Sequence, residues 1–540
     1  GNVATHSPDI HIWKPVFYQG EIVCFVVGHI HNTDVGGAVP ASLSRSLTEI
    51  VQEGIRIPPL KIISGGQMNE AVAQIMRLNV RAPDQNWGDF NAQIASVNIG
   101  ERKVQEIIAR FGIDDFLTGV EGILDYAEQQ ARSIISTIPD GEYFYADSAD
   151  EDGEGGYPCR IATTLRIKGD SLELDYTGSD PQLASSLIMP TGGRERHPLA
   201  LVGVTYVLST LDRSLLLNAG TLRPTRAILP PGTIMDGEAP AAVGMRSLAC
   251  AMSQIATVGA FSLAMPDRLP ANSPGGNSII NIRTVDAQNR TVVASLGPVG
   301  GGAGGTPKHD GPDGSGGLSA FLKNTPIEIN EAEVPVRFHR YGLAADSAGA
   351  GKYRGGLATE MAFEVFAPNT TITALPDGSV IEHGNTDVIH CGPGDVVTVK
   401  GPGAGGYGAA KDRDAQAVLR DVQCGFLSEQ AAREQYGVVV QRGEIDLSAT
   451  EALRAVMPGA GDKHFDVGAA REGFEALWTE DRYRLLTAFL AERPVVWRHF
   501  LKHQVFAAVQ KGEGNDLPLD EQMAGLFARL MAQFPALSAA

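Results

Sequence analysis

The chain has 540 residues, with 44 lysines and arginines against 63 aspartates and glutamates, a formal net charge of −19, and a hydrophobic share of 43%. That acidity argues against nucleic acid and anionic membrane as partners, since both recruit basic surfaces. No apolar run approaches the ~20 residues of a membrane span, and a chain of this length is expected to divide into several domains with their own cores. The five cysteines, Cys24, Cys159, Cys250, Cys391 and Cys424, are odd in number and lack CxxC spacing. They argue against a disulfide framework or a thiolate metal site and fit a cytoplasmic location.

In chain order, His11–Tyr18 and Glu21–Val27 are apolar runs separated by Gln19-Gly20, which predicts a β-hairpin. Apolar residues at three- and four-residue spacing predict helices over Asn69–Leu78, Gly88–Phe111 and Ile113–Ser136. Asp147–Gly156 reads as an acidic, glycine-rich loop, and its Asp150, Glu151 and Asp152 as a solvated charge run. Arg160–Ile167 and Ser171–Tyr176 predict a second hairpin, and Leu199–Leu211 and Leu248–Ala264 predict buried helices. Residues 275–317 hold the densest glycine run, which suits either close backbone approach to a ligand or a structural cluster of turns, the second being preferred. From 327 to 400 the chain reads as strand-rich, and Gly401–Gly408 as a loop. A helical tail follows, with Ser428–Tyr436, a capping box at Ser448-Ala-Thr-Glu451, Thr479–Glu492 and an amphipathic last helix from about Asp520. The fold class is therefore α+β, a mixed multidomain architecture expected to divide into 1–140, 141–410 and 411–540.

The most chemically suggestive residues come first in the chain. His6 and Asp9 precede the predicted hairpin and His31 follows it, so antiparallel pairing brings two imidazoles and a carboxylate together. Nitrogen and carboxylate donors suit Zn²⁺, Mn²⁺ or Fe²⁺, although Ser7-Pro8-Asp9 also reads as a simple turn. Asp34 has two readings, as a further ligand or as the acceptor that orients His31, and the second is preferred because metal-bound histidines donate their other N–H. His11 and His29 read as structural histidines, and Glu53 and Arg56 as a pocket pair or a structural ion pair. His309 and Asp310, in the glycine-rich segment, are candidates for substrate contact or proton transfer.

Nine separated blocks carry a family resemblance over residues 1 to about 437. They are Thr5-His6-x-x-Asp9-Ile10, His31-x-x-Asp34-Val35-Gly36-Gly37, Glu49-x3-Glu53-Gly54-x-Arg56-Ile57-Pro58-Pro59 and Asn79-Val80-Arg81, followed by Asp175–Gln182 and Leu217-Asn218-Ala219-Gly220. Gly300–Gly305, Asn324-Thr325-Pro326-x-Glu328 and Gly349–Leu357 complete the set. The chain resembles the B subunits of the hydantoinase/5-oxoprolinase family, which reaches more distantly to subunits of acetone and acetophenone carboxylases. The resemblance implies the metal-bearing half of an ATP-dependent hydrolase of cyclic amides, working on a small-molecule substrate with a hydantoinase A-like subunit that binds the ATP. It carries the metal ligands over to His6, Asp9 and His31 and implies a further aspartate in a segment preceding residue 1. Two rival readings are a subunit of a ketone carboxylase and a non-catalytic scaffold with a degenerate site. Residues 438–540 depart from the family core as a helical extension.

Overall fold

The structure is a computed structural model that describes residues 5–153, 155–275, 278–315, 325–373, 388–457 and 465–538. Of the segments read above, Glu154 of the acidic loop, residues 276, 277, 316 and 317 of the glycine-rich run, Asn324, and residues 374–387 of the strand-rich segment lie outside that set. The chain forms two compact units, Gly1–Ala260 together with Val467–Ala540, and Phe261–Asp466. Helices and several separate sheets alternate along it, as an α+β chain requires.

The first unit opens with β1, Asp9–Tyr18, paired antiparallel to β2, Glu21–His31. Gln19 and Gly20, at φ 50° and 90°, make the two-residue turn whose left-handed pair matches strand twist. The pairing runs two residues past the predicted end of the first strand and four past that of the second, and sets Asp9 opposite His31 and His11 opposite His29. Three helices follow: α1, Glu70–Leu78, α2, Pro83–Phe111, and α3, Ile113–Ile135. α2 lies on one face of the hairpin, where Gln93 Nε2 donates to the Ile10 carbonyl at 2.6 Å and Lys14 reaches Glu101 at 2.5 Å. Gly28 permits this approach, because a Cβ there would sit 3.1 Å from Val97 Cγ1.

A four-stranded sheet forms the centre of this unit, in the order Gly141–Ala149, Cys159–Lys168, Ser171–Asp175 and Thr225–Ile228, with only the last pair parallel. Ile161, Leu165, Leu174 and Tyr176 are buried in it, and the Tyr176 hydroxyl donates to the Ala200 carbonyl at 2.6 Å. The predicted buried helices are present as Val202–Leu211 and Arg246–Ala264. The second is long and apolar enough for a membrane span by length and composition, and most of it is buried within the fold. Four helices close the unit: Gly468–Leu477, Glu480–Ala491, Val495–Gln510 and Leu519–Gln533. Their aromatic core includes Trp478 stacked on Phe506 and Phe489 stacked on Phe527.

In the second unit a four-stranded sheet (Thr291–Val299, Ser278–Val285, Thr370–Thr373, Val388–Cys391) and a three-stranded sheet (Val336–Leu343, Thr359–Val365, Val396–Lys400) share one core. Ile280, Leu296, Met361, Phe363 and Val399 fill it. The segment read as strand-rich from 327 begins instead with a helix, Ile327–Glu333. Pro326 precedes its first residue, a placement that the missing N–H of proline allows outside the hydrogen-bonded turns. The glycine-rich stretches interlock through backbone hydrogen bonds. Gly305 N–H donates to the Gly405 carbonyl at 2.9 Å, Gly356 N–H to Ala303 at 2.9 Å and Gly349 N–H to Ala404 at 2.8 Å. A Cβ at Gly302 or Gly304 would collide with Gly356 or Ala271 backbone. The glycines thus serve close approach of the chain to itself.

Further along, the helix Leu447–Val456 is capped by Asp446, whose side chain accepts from Ala449 N–H at 2.9 Å. The cap expected at Ser448 falls inside the helix, because the turn begins two residues earlier.

Candidate metal centre

The candidate site is built at the open end of the β1–β2 hairpin. A turn through Ser7 and Pro8, closed by Asp9 N–H on the His6 carbonyl at 3.0 Å, folds His6 back beside the strand start. Asn32 ties the other strand end to it by donating N–H to the Pro8 carbonyl at 2.9 Å. The turn and the ligand readings of this segment therefore describe the same geometry. His6 and Asp9 are buried, His31 opens to solvent, and the His6 and His31 rings lie 5.4 Å apart between centroids.

The electrostatics keep these donors in usable forms. Burial alone would raise the Asp9 carboxyl, but the Arg246 guanidinium and the Thr5 hydroxyl, both bonded to Oδ2, outweigh it and hold the group below its ordinary value. His29 Nε2 lies 3.3 Å from Asp9 Oδ1. Burial, reinforced by the charge on Arg246, pushes the His6 imidazole well below its usual range, which keeps the ring neutral with one nitrogen lone pair free. His31, although its side chain reaches solvent, is lowered as well by partial desolvation among its neighbours. His6 Nε2 lies 3.2 Å from the Ser42 carbonyl, while Nδ1 is buried without a hydrogen-bond partner. A buried ring nitrogen with no partner, beside a carboxylate and a second imidazole, fits a nitrogen and oxygen metal site. The fit is incomplete in two respects, since Arg246 and Thr5 engage one oxygen of Asp9 and the ligand atoms of His6, Asp9 and His31 do not all lie within 4.8 Å of one another.

Asp34 faces elsewhere. Its Oδ2 accepts from the Arg81 N–H at 2.6 Å and its Oδ1 from the Arg81 guanidinium at 2.8 Å. The same guanidinium donates to the Gly36 and Gly37 carbonyls at 3.1 and 2.6 Å. Gly36 and Gly37 have φ of 78° and 82°, and a Cβ on either would strike Asn79 or Gln52 carbonyl oxygen. Three of the family-like blocks thus meet in one structural knot, and Asp34 holds that knot where an acceptor for His31 was expected. Glu53 does not pair with Arg56. Its Oε1 accepts from Val243 and Gly244 N–H, and its buried Oε2 lies 3.9 Å from His6 Nε2. Burial pushes the Glu53 carboxyl up to about 7 against the pull of those two donors.

His309 belongs to the second unit, on an exposed turn whose backbone N–H donates to Thr306 Oγ1 at 2.8 Å. Asp310 beside it accepts both guanidinium nitrogens of Arg413, at 2.6 and 2.7 Å, and acts as a structural anchor. Arg246, Glu53 and His29 are the neighbours of the site that sequence reasoning left out or read otherwise. Arg246 lies 237 residues from Asp9 and carried no motif.

Residues 2–384 match the family model described as Hydantoinase B/oxoprolinase, and the chain belongs to that family. It is 32% identical to the caprolactamase subunit beta of Pseudomonas jessenii over 84% of this chain and 83% of that one. The crystal structure of the ATP-dependent caprolactamase from Pseudomonas jessenii superposes with a TM-score of 0.76 at 29% identity, covering 84% of this chain and 83% of that one. A nucleotide-free acetone carboxylase structure shares the fold, with a TM-score of 0.78 over 96% of this chain and 79% of that one at 18% identity.

Proposed function

We propose that this chain is the metal-bearing subunit of an ATP-dependent cyclic-amide hydrolase, acting beside a hydantoinase A-like subunit that binds the ATP. The observation that carries the reading is the convergence of His6, Asp9 and His31 where Asp9 and His31 face each other across the hairpin mouth. A divalent ion held there supplies Lewis-acid activation of a carbonyl or of water. The chain's own contribution is to keep the donors ready. Arg246 holds Asp9 ionised, burial holds His6 neutral, and the Arg81 knot fixes the loop that leaves His31. Similarity to a caprolactamase subunit supports a lactam-type substrate, and an unstrained cyclic amide is a reasonable target for coupling to ATP.

The test is co-expression with a hydantoinase A-like ATP-binding subunit and assay of cyclic amides. Ring opening that depends on ATP, with about one metal per chain lost in His31→Ala together with turnover, supports the reading. Full activity of His31→Ala would overturn it. Incorporation of labelled bicarbonate into a ketone would replace it with the carboxylase alternative. His309 stands as a candidate for substrate contact or proton transfer, and if it serves either role a His309→Gln variant is expected to keep its metal while losing turnover. Unchanged turnover would remove that candidacy. The sequence contains no GxxxxGK[ST] phosphate loop, so the isolated chain is expected to hydrolyse no ATP.

A further inference from the structure

We propose that Asp152, His499 and His503 form a second divalent transition-metal site, of the kind zinc occupies, which fastens the C-terminal helices to the central sheet of their unit. Among the described residues these three form a group whose ligand atoms all lie within 4.8 Å of one another.

The site is assembled from two distant parts of the chain. His499 and His503 stand four residues apart on the helix Val495–Gln510, so both project from one face, and their rings are 4.3 Å apart. Asp152 comes from the acidic loop before the strand Cys159–Lys168. Its backbone is held by Tyr157 and Ser185, since Asp152 N–H donates to the Tyr157 carbonyl at 2.7 Å and Ser185 Oγ donates to the Asp152 carbonyl at 2.6 Å. The Tyr157 ring stands edge-on to His503 at 4.9 Å.

Distances favour a shared ion. His503 Nε2 lies 3.1 and 3.0 Å from the two Asp152 oxygens, and His499 Nδ1 lies 3.9 Å from Oδ2. Donors bound at ~2.0–2.2 Å to one ion stand roughly 3–3.5 Å apart, so the first pair is already in place and the second needs only a small closure. His499 Nδ1 is buried and has no hydrogen-bond partner, which identifies it as the atom waiting for one. Both imidazoles keep some solvent access, with side chains 19% and 29% exposed, so water can complete the coordination.

Charge is the argument against, and the structure answers it. Lys502 is fully buried and lies 2.6 Å from Asp152 Oδ2. It also lies 2.7 Å from Asp180 Oδ2, so Asp180 balances the ammonium and the charge of Asp152 remains for a cation. Tyr157 N–H donates to Asp152 Oδ1 at 3.1 Å and Lys502 to Oδ2, which fixes the carboxylate plane and leaves each oxygen a further lone pair for a cation.

The experiment uses the full chain carrying His6→Ala and His31→Ala, so that metal at the hairpin mouth does not contribute. After chelator treatment and desalting, Co²⁺ is titrated in and followed by its visible d–d absorption. One equivalent is expected to bind and to raise the melting temperature by about 2–4 °C. Addition of His499→Ala, or of His503→Gln, which retains a donor toward Asp152, is expected to abolish the band and the shift while circular dichroism stays unchanged. Absence of binding in the folded double variant, or binding that survives both further substitutions, would overturn the proposal. Neither result bears on the hairpin site, which is read by turnover of the otherwise native complex.

Discussion

At the scale of single residues, the pair Asp34 and Arg81 decides how the hairpin mouth is held. Asp34 is buried, and its carboxylate is saturated by the backbone and side chain of one arginine. Removing either partner strands the other, which costs about 3–5 kcal/mol for a buried pair, somewhat less here because Arg81 is partly exposed. Arg81→Met is therefore expected to lower stability by roughly 2–4 kcal/mol, and Asp34→Asn by a similar or smaller amount. The two effects should be strongly non-additive in a double-mutant cycle of urea midpoints. Additive effects would show that Asp34 acts through another group. The three candidate ligands were legible because they lie within one hairpin, where a short spacing and an antiparallel turn translate directly into proximity. Glu53 was misread for the opposite reason, since the N–H donors that hold it lie 190 and 191 residues away.

At the scale of elements, the hairpin has two faces with different fates. α2 covers one, and alternation turns Trp13, Phe17, Phe25 and Val27 to the other, with Ile22 joining them across the bulge after Val16. Trp13 and Phe25 are 55% and 53% exposed and meet edge to face. A cluster of large apolar side chains left in water marks an interaction surface, and the ATP-binding subunit is its proposed occupant. Trp13→Asp with Phe25→Asp is expected to weaken association with that subunit by at least tenfold in sedimentation or light scattering, while the isolated chain keeps its melting temperature. Undiminished association would place the partner elsewhere. The hairpin, α1 to α3 and the buried helices were legible from periodicity and turn residues. The capping box was misplaced by two residues, because Asp446 and Ser448 both carry capping side chains and only the turn geometry chooses between them.

At the scale of the whole chain, what escaped the sequence were charge pairs closed over long separations. Asp152 reads as part of a solvated acidic run, yet it is fully buried, because Lys502, shared with Asp180, and His503 reach it from 350 and 351 residues downstream. The second unit repeats this pattern around its glycine knot. Arg354 pairs with Asp313 at 2.6 Å, and Arg413 bridges Asp310 and Asp421, at 2.6 and 2.9 Å. Burial alone would raise the Asp310 carboxyl, but the Arg413 guanidinium and the Arg354 N–H hold it below its ordinary value. The folded state therefore binds protons less readily than the unfolded one in the range just below the usual carboxylate pKa of ~4. The stabilisation is complete above that value and is lost as pH falls toward and through the folded one. Urea midpoints for 349–357 and 413–421, read by pulsed hydrogen exchange at a common labelling pH, are thus expected to fall between pH 5 and 3. Asp310→Asn should start lower at pH 6 and fall less steeply, since the titrating group is gone. Parallel profiles for the two proteins would show that acid acts on this unit through other carboxylates.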